Sequence, residues 1–126
     1  MKNIKKHILF LVFALSSIFA FGQVKFYAKG ANVAYTGKAY VITFVLENGN
    51  GKNFRVPQAY PGFQIIGGPN QSSSTQWING VVTSSKSYSY YLQPIKEGTF
   101  TIPKASVQVG DESLTTEEIK VTINNF

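Results

Sequence analysis

Cysteine is absent from this 126-residue chain, and its single histidine, His7, lies just ahead of an N-terminal apolar run. Downstream of that run there is neither a thiol nor an imidazole. Nucleophilic catalysis of the Ser-His-Asp or Cys-His kind is therefore excluded there, and so are zinc sites built on His and Cys. With no disulfide to form, the fold must be held by packing. Charge is sparse as well: 12 basic residues against 6 acidic ones. From Lys25 to Lys120 the basic residues stand singly, and no basic run offers a track for phosphates, so no nucleic-acid partner is expected. No glycine-rich loop leaves a strand to open a helix, which removes support for nucleotide binding. The carboxylates are few, and a glycosidase would need two of them across a cleft. Neighbours such as Glu117 and Glu118 would point to opposite faces of a strand. Asp111 and Glu112 suit either weak Ca²⁺ binding or a solvated turn. The composition reads as a non-enzyme with no cofactor and no metal.

What is present begins with a leader. Lys2, Lys5 and Lys6 form a positive segment, and Ile8 to Phe21 is an apolar run of 14 residues with only two serines. Ala20-Phe21-Gly22 then places small residues at the −3 and −1 positions of a cut before Gln23. These are the three parts of a secretory signal peptide over residues 1–22. The competing reading is an uncleaved anchor, but a spanning helix needs roughly 20 apolar residues. No cysteine follows the run, so a lipid-anchored form is excluded. Residues 23–126 then make one domain of a size that buries about two-thirds of its unfolded surface.

Along that domain, short apolar and β-branched runs alternate with Gly, Asn and Pro. Predicted strands cover Gln23–Ala28, Val33–Thr36, Ala39–Glu47, Asn53–Val56, Phe63–Ile66, the two arms around Asn79-Gly80, Thr99–Ile102 continued after an interruption at Pro103-Lys104 by Ala105–Val109, and Thr116–Ile123. Ala39–Glu47 is apolar on both faces and reads as a central strand covered on both sides. Gly67-Gly68-Pro69-Asn70 reads as a sharp turn, and Gly110 to Ser113 as another. Eight or nine short strands with no helix predict an all-β fold, an immunoglobulin-like antiparallel β-sandwich. A closed barrel is the alternative.

The central feature is a hairpin from about Gln71 to Gln93. Asn79-Gly80 meets the positive φ that both central residues of a type I′ turn require. A two-residue loop sets the register: Ile78 against Val81, Trp77 against Val82, Ser73 against Lys86, Gln71 against Tyr88. One face of the second arm then carries Tyr88, Tyr90 and Leu92 as an apolar stripe, with Tyr91 on the other face. The inner half is expected to join the core. The outer half, Ser72 to Ser85, has too little apolar surface for that and is expected to project. Trp77 has two readings: it covers Val82 and closes the end of the sandwich, or it is an exposed anchor for a partner or a sugar ring. Trp77, Asn79, Gly80 and Tyr60 are the candidate contact residues.

From Phe54 to Val121 the order of motifs becomes specific. Val56-Pro57 and Phe63 precede Gly68-Pro69 and Asn79-Gly80. Ser87-Tyr88-Ser89-Tyr90-Tyr91-Leu92 leads to Pro94, and Lys96-Glu97-Gly98-Thr99-Phe100-Thr101-Ile102-Pro103 follows. This resembles the N-terminal domain of the BatD family, the oxygen-tolerance proteins of the Bacteroides aerotolerance system. The resemblance implies an exported cell-envelope protein with tandem β-sandwich domains at the periplasmic face of the inner membrane. It also implies partners among the other Bat proteins, which carry von Willebrand A-type and tetratricopeptide modules. It supplies no catalytic residue. In such proteins a later segment spans the membrane. This chain stops at Phe126 and reads as an N-terminal fragment or a truncated gene product, with membrane attachment only through a segment it lacks. A secreted carbohydrate-binding sandwich module is the alternative function.

Overall fold

Short β-branched and aromatic runs punctuated by Gly, Asn and Pro favour strands. The computed structural model, which describes residues 23–126, contains ten of them and no helix. The predicted signal peptide, 1–22, lies outside the described residues. In chain order the strands are β1 (Lys25–Lys29), β2 (Val33–Tyr35), β3 (Tyr40–Glu47), β4 (Gly51–Arg55), β5 (Phe63–Ile78), β6 (Val81–Pro94), β7 (Gly98–Ile102), β8 (Ser106–Val109), β9 (Glu112–Thr115) and β10 (Ile119–Asn124). They form three sheets, ordered β1-β3-β6-β5, β2-β10-β7 and β4-β8-β9. The pairing is antiparallel throughout except between β2 and β10, which run parallel. The fold is the expected all-β sandwich.

Alternation of side chains along each strand builds the core. Tyr40, Ile42 and Phe44 of β3 and Leu92 of β6 point in from the four-stranded sheet. Ile102 of β7 and Val121 and Ile123 of β10 meet them from the other layer. Ile42, Phe44, Leu92 and Val121 are fully buried, and each such side chain contributes about 1.5–3 kcal/mol by leaving water. Phe54 of β4 brings in the third sheet: its ring lies edge-on to Phe26 at 5.7 Å and stacks on Tyr88 at 4.2 Å. One buried polar group is fully used. Thr116 Oγ1 accepts from the Ala105 amide at 2.9 Å, and the Thr116 amide donates to the Ala105 carbonyl at 3.0 Å.

Four expectations are corrected. Gly67 to Asn70 is not a turn. β5 runs straight through it, with register shifts at Ile65/Gly67 and Gly67/Asn70 that absorb the extra residues as bulges. β5 lies at the edge of its sheet, where a proline costs no ladder bond. Glu112 and Ser113 belong to a strand, β9, that pairs with β8. The closing strand begins at Ile119 rather than Thr116. Finally, β3 is covered on one face only at its start: Tyr40 and Ile42 are buried while Val41 is exposed.

Candidate functional site

The register read from Asn79-Gly80 holds as far as Asn70 opposite Ser89. Ile78 faces Val81, Trp77 faces Val82, Ser73 faces Lys86 and Gln71 faces Tyr88. Asn79 and Gly80 have φ of 51° and 77°, so both occupy the left-handed region that the tight turn demands. A side chain added at Gly80 would meet nothing within 4 Å, which places the tip in open space.

The hairpin divides where its third strand ends. β3 pairs with β6 as far as Glu47 opposite Ser85. One residue later Asn48 turns away with φ of 59° and clamps the hairpin at its base. Its Oδ1 accepts from the Ser84 amide at 3.0 Å, its own amide donates to the Ser84 carbonyl at 2.8 Å, and its Nδ2 donates to the Gln23 carbonyl at 2.9 Å. Beyond this point β6 has only β5 beside it. Four residue pairs and the turn therefore extend past the sheet, a reach of roughly 14 Å at about 3.4 Å per residue. Sequence reading missed Asn48; its signal was the Asn48-Gly49 pair, which marks a place where the chain can turn.

Inside the clamp the second arm is tied to the core. Tyr88 stacks on Phe54, Tyr90 lies edge-on to Phe44 at 6.4 Å, and Leu92 is fully buried. Thr43 and Ser89 share a hydroxyl–hydroxyl bond of 2.9 Å on the outer face. Gly68 makes a close approach there: a Cβ on it would stand 2.6 Å from the Ser89 carbonyl oxygen, and its φ is +105°.

Outside the clamp the picture changes. Every residue of β5 from Thr75 to Ile78 and of the turn is exposed, and Val81 to Thr83 of β6 are half-buried. Trp77 is 77% exposed and Ile78 60%. Among the described residues no aromatic ring pairs with Trp77, so the indole does not close the sandwich. Trp77, Asn79 and Gly80 thus lie together at the tip.

Tyr60 does not join them. It is 3% exposed and sits in the core cluster near Tyr90, ring centroids 6.5 Å apart. The loop folds inward because the Phe63 amide donates back to the Tyr60 carbonyl at 2.9 Å. Its hydroxyl has no partner among the described residues. Burial, and then the neighbouring Tyr90, push its pKa well above the usual phenol value. Tyr60 is therefore a core residue, and its place among the candidate contacts is withdrawn. Tyr40, also buried, does better: its hydroxyl donates to the Ala31 carbonyl at 2.6 Å, and burial pushes its pKa up to about 12.

The described residues hold no cluster of three His, Cys, Asp or Glu side chains placed for a metal. Asp111 lines shallow open depressions with residues such as Arg55 and Glu112 rather than a cleft.

Residues 29–123 match the family model described as the BatD DUF11 like domain. The chain belongs to the BatD family. No curated protein matches it at a significant level. Among solved structures, it is similar to a cohesin module from the Clostridium perfringens ATCC13124 family 33 glycoside hydrolase. The identity is 13% and the TM-score 0.44, over 82% of this chain and all of that one.

Proposed function

We propose that this BatD-family domain is a non-catalytic interaction module of the bacterial cell envelope. It works on the periplasmic side by protein–protein contacts with other Bat proteins, those carrying von Willebrand A-type and tetratricopeptide modules, in support of oxygen tolerance. The observation that carries the reading is the projecting hairpin tip. A chain of this size rarely leaves a tryptophan 77% exposed beside an exposed isoleucine at the end of an unsupported ribbon unless something covers them. Large amphipathic rings such as the indole are the residues on which binding energy concentrates. The absence of His and Cys after residue 22 removes the commonest nucleophile–base pairs, which favours binding over catalysis.

The test is capture from envelope extracts with the exported chain as bait. Recovery of a von Willebrand A-type or tetratricopeptide protein, lost in Trp77→Ala, supports the reading. An extract that yields neither protein contradicts it. A carbohydrate-binding role draws on the same exposed indole. It loses its second aromatic with the burial of Tyr60, which leaves one ring where a sugar platform commonly needs a flat array. Glycan-array binding that vanishes in Trp77→Ala would reinstate it.

A further inference from the structure

The four-stranded sheet has two edges, and they are built differently. β1 is five residues long with Lys25 and Lys29 at its ends. Short length and terminal charge are the usual guards against edge-to-edge pairing. β5 is 16 residues long and has no charged residue; the nearest charges along the chain are Arg55 and Lys86. Its bulges and Pro69 disturb only its first part. From Asn70 to Ile78 it pairs with β6 residue for residue, with no shift, and every residue of that stretch is exposed.

The direction of its main-chain groups follows from the clamp. Opposite Thr75 stands Ser84, whose amide and carbonyl both turn to Asn48. Ser84 has nothing left for Thr75, so the N–H and C=O of Thr75 face away from β6. Antiparallel pairing alternates this state along the strand, which puts Gln71, Ser73 and Trp77 in it too. Four donors and four acceptors line an uncharged edge.

The geometry points to a second copy of this chain as the occupant of that edge, antiparallel through the same segment. A two-fold axis relating antiparallel strands stands normal to the sheet and sets one residue opposite itself. The regular stretch from Asn70 to Ile78 has Ser74 at its midpoint. With Ser74 opposite Ser74 of the second copy, Ser73 faces Thr75 and Gln71 faces Trp77, and all the outward donors and acceptors find partners. Centring on Ser73 instead would bring Pro69, which has no N–H, opposite Trp77. Every facing pair is uncharged, and Ser–Thr pairs are among the favourable ones. The same operation at β1, centred on Tyr27, would press Lys25 against Lys29. Identical edges joined by a two-fold axis are also the commonest closed assembly. In the paired state the exposed indole of Trp77 lies across Gln71 of the second copy.

The test uses the chain expressed with its own leader and purified from the periplasm. Sedimentation velocity over a concentration series is expected to show a monomer–dimer equilibrium, and Ser74→Lys, which sets like charges face to face, to abolish the dimer without lowering the melting temperature. The chain has no cysteine, so Ser74→Cys reports on one place only. Residues opposite each other at a non-hydrogen-bonded position are about 4.5 Å apart at Cα, within disulfide reach. Oxidation is expected to link Ser74→Cys about tenfold faster than the exposed off-edge control Lys104→Cys, given that contact-range dependence. A monomer at every concentration with no preferential linkage overturns the inference, as does Ser74→Cys linked to a different polypeptide. A monomer that still captures Bat proteins strikes this inference alone; a dimer that captures none strikes the proposed function alone.

Discussion

The two halves of the β5–β6 hairpin share a turn, a register and hydroxyl-bearing residues on both arms, though all three tyrosines, Tyr88, Tyr90 and Tyr91, lie in the inner half, and the halves do different jobs. From Ser85 to Leu92, β6 lies between two strands and its inward face meets Phe44, Phe54 and the facing sheet. From Val81 to Thr83 only β5 lies beside it. The divider is the end of β3, fastened by Asn48. A β-ribbon of two strands is marginal on its own in water, so the tip is held by its continuity with the core half. The lesson is that the same local sequence style gives scaffold or display surface according to what lies beside it.

Four substitutions sharpen this contrast, taken from the largest expected effect. Phe44→Ala removes a fully buried ring from the inner half's partner strand and is expected to cost about 3–5 kcal/mol; urea unfolding followed by circular dichroism measures it. Gly68→Ala forces a Cβ toward the Ser89 carbonyl in a left-handed conformation and is expected to cost about 2 kcal/mol, seen as a lower midpoint in the same titration.

Tyr40→Phe deletes one buried hydrogen bond, at about 1 kcal/mol. It also changes the alkaline limb. Burial pushes the Tyr40 hydroxyl up to about 12 in the fold, above the ordinary phenol value of 10.0. A raised phenol pKa means that the unfolded state releases its proton first. The hydroxyl's contribution is therefore complete below pH 10 and drains away as the pH rises toward 12. Wild type should lose stability through that window, and Tyr40→Phe should lose less; melts at stepped pH between 8 and 12 make the comparison. The smallest effect on stability belongs to Trp77→Ala. It should change unfolding by no more than about 0.5 kcal/mol, because the indole touches almost nothing, while capture of envelope partners falls. A loss of stability as large as that of Gly68→Ala would put Trp77 inside the fold and erase the contrast.

Local chemistry was readable in advance, and non-local packing was not. Asn79-Gly80 specifies its turn through two backbone angles, and the turn then propagates a register over nine residues on each side, Asn70–Ile78 against Val81–Ser89. Inward faces such as Ile119, Val121 and Ile123 follow from alternation alone. Gly67 to Asn70 misled because Gly-Gly-Pro-Asn is turn chemistry in isolation. An edge strand with a partner only on one side can swallow the same residues as bulges. Tyr60 misled because its loop carries Pro61 and Gly62 and looks solvent-facing. A single backbone bond to Phe63 turns it into the core. β9 was hidden because Asp111, Glu112 and Ser113 carry turn propensity, and only the presence of β8 as a partner makes strand of them. The clamp at Asn48 depends on a contact between residues 36 positions apart, which no periodicity announces. Of the candidate contact residues, Trp77, Asn79 and Gly80 lie together at the exposed tip, and Tyr60 lies in the core.

The division of the hairpin is tested most directly by residue-resolved amide hydrogen exchange along β6, on dilute monomeric protein. Amides from Ser85 to Leu92 should exchange only through global unfolding. Those of Val81 and Thr83, which bond to β5, should open at a free energy lower by about 2 kcal/mol or more, hence roughly 30-fold faster, with the step falling at the Asn48 clamp. Protection that continues undiminished to the Asn79-Gly80 turn would contradict the account, because the tip would then be part of the scaffold.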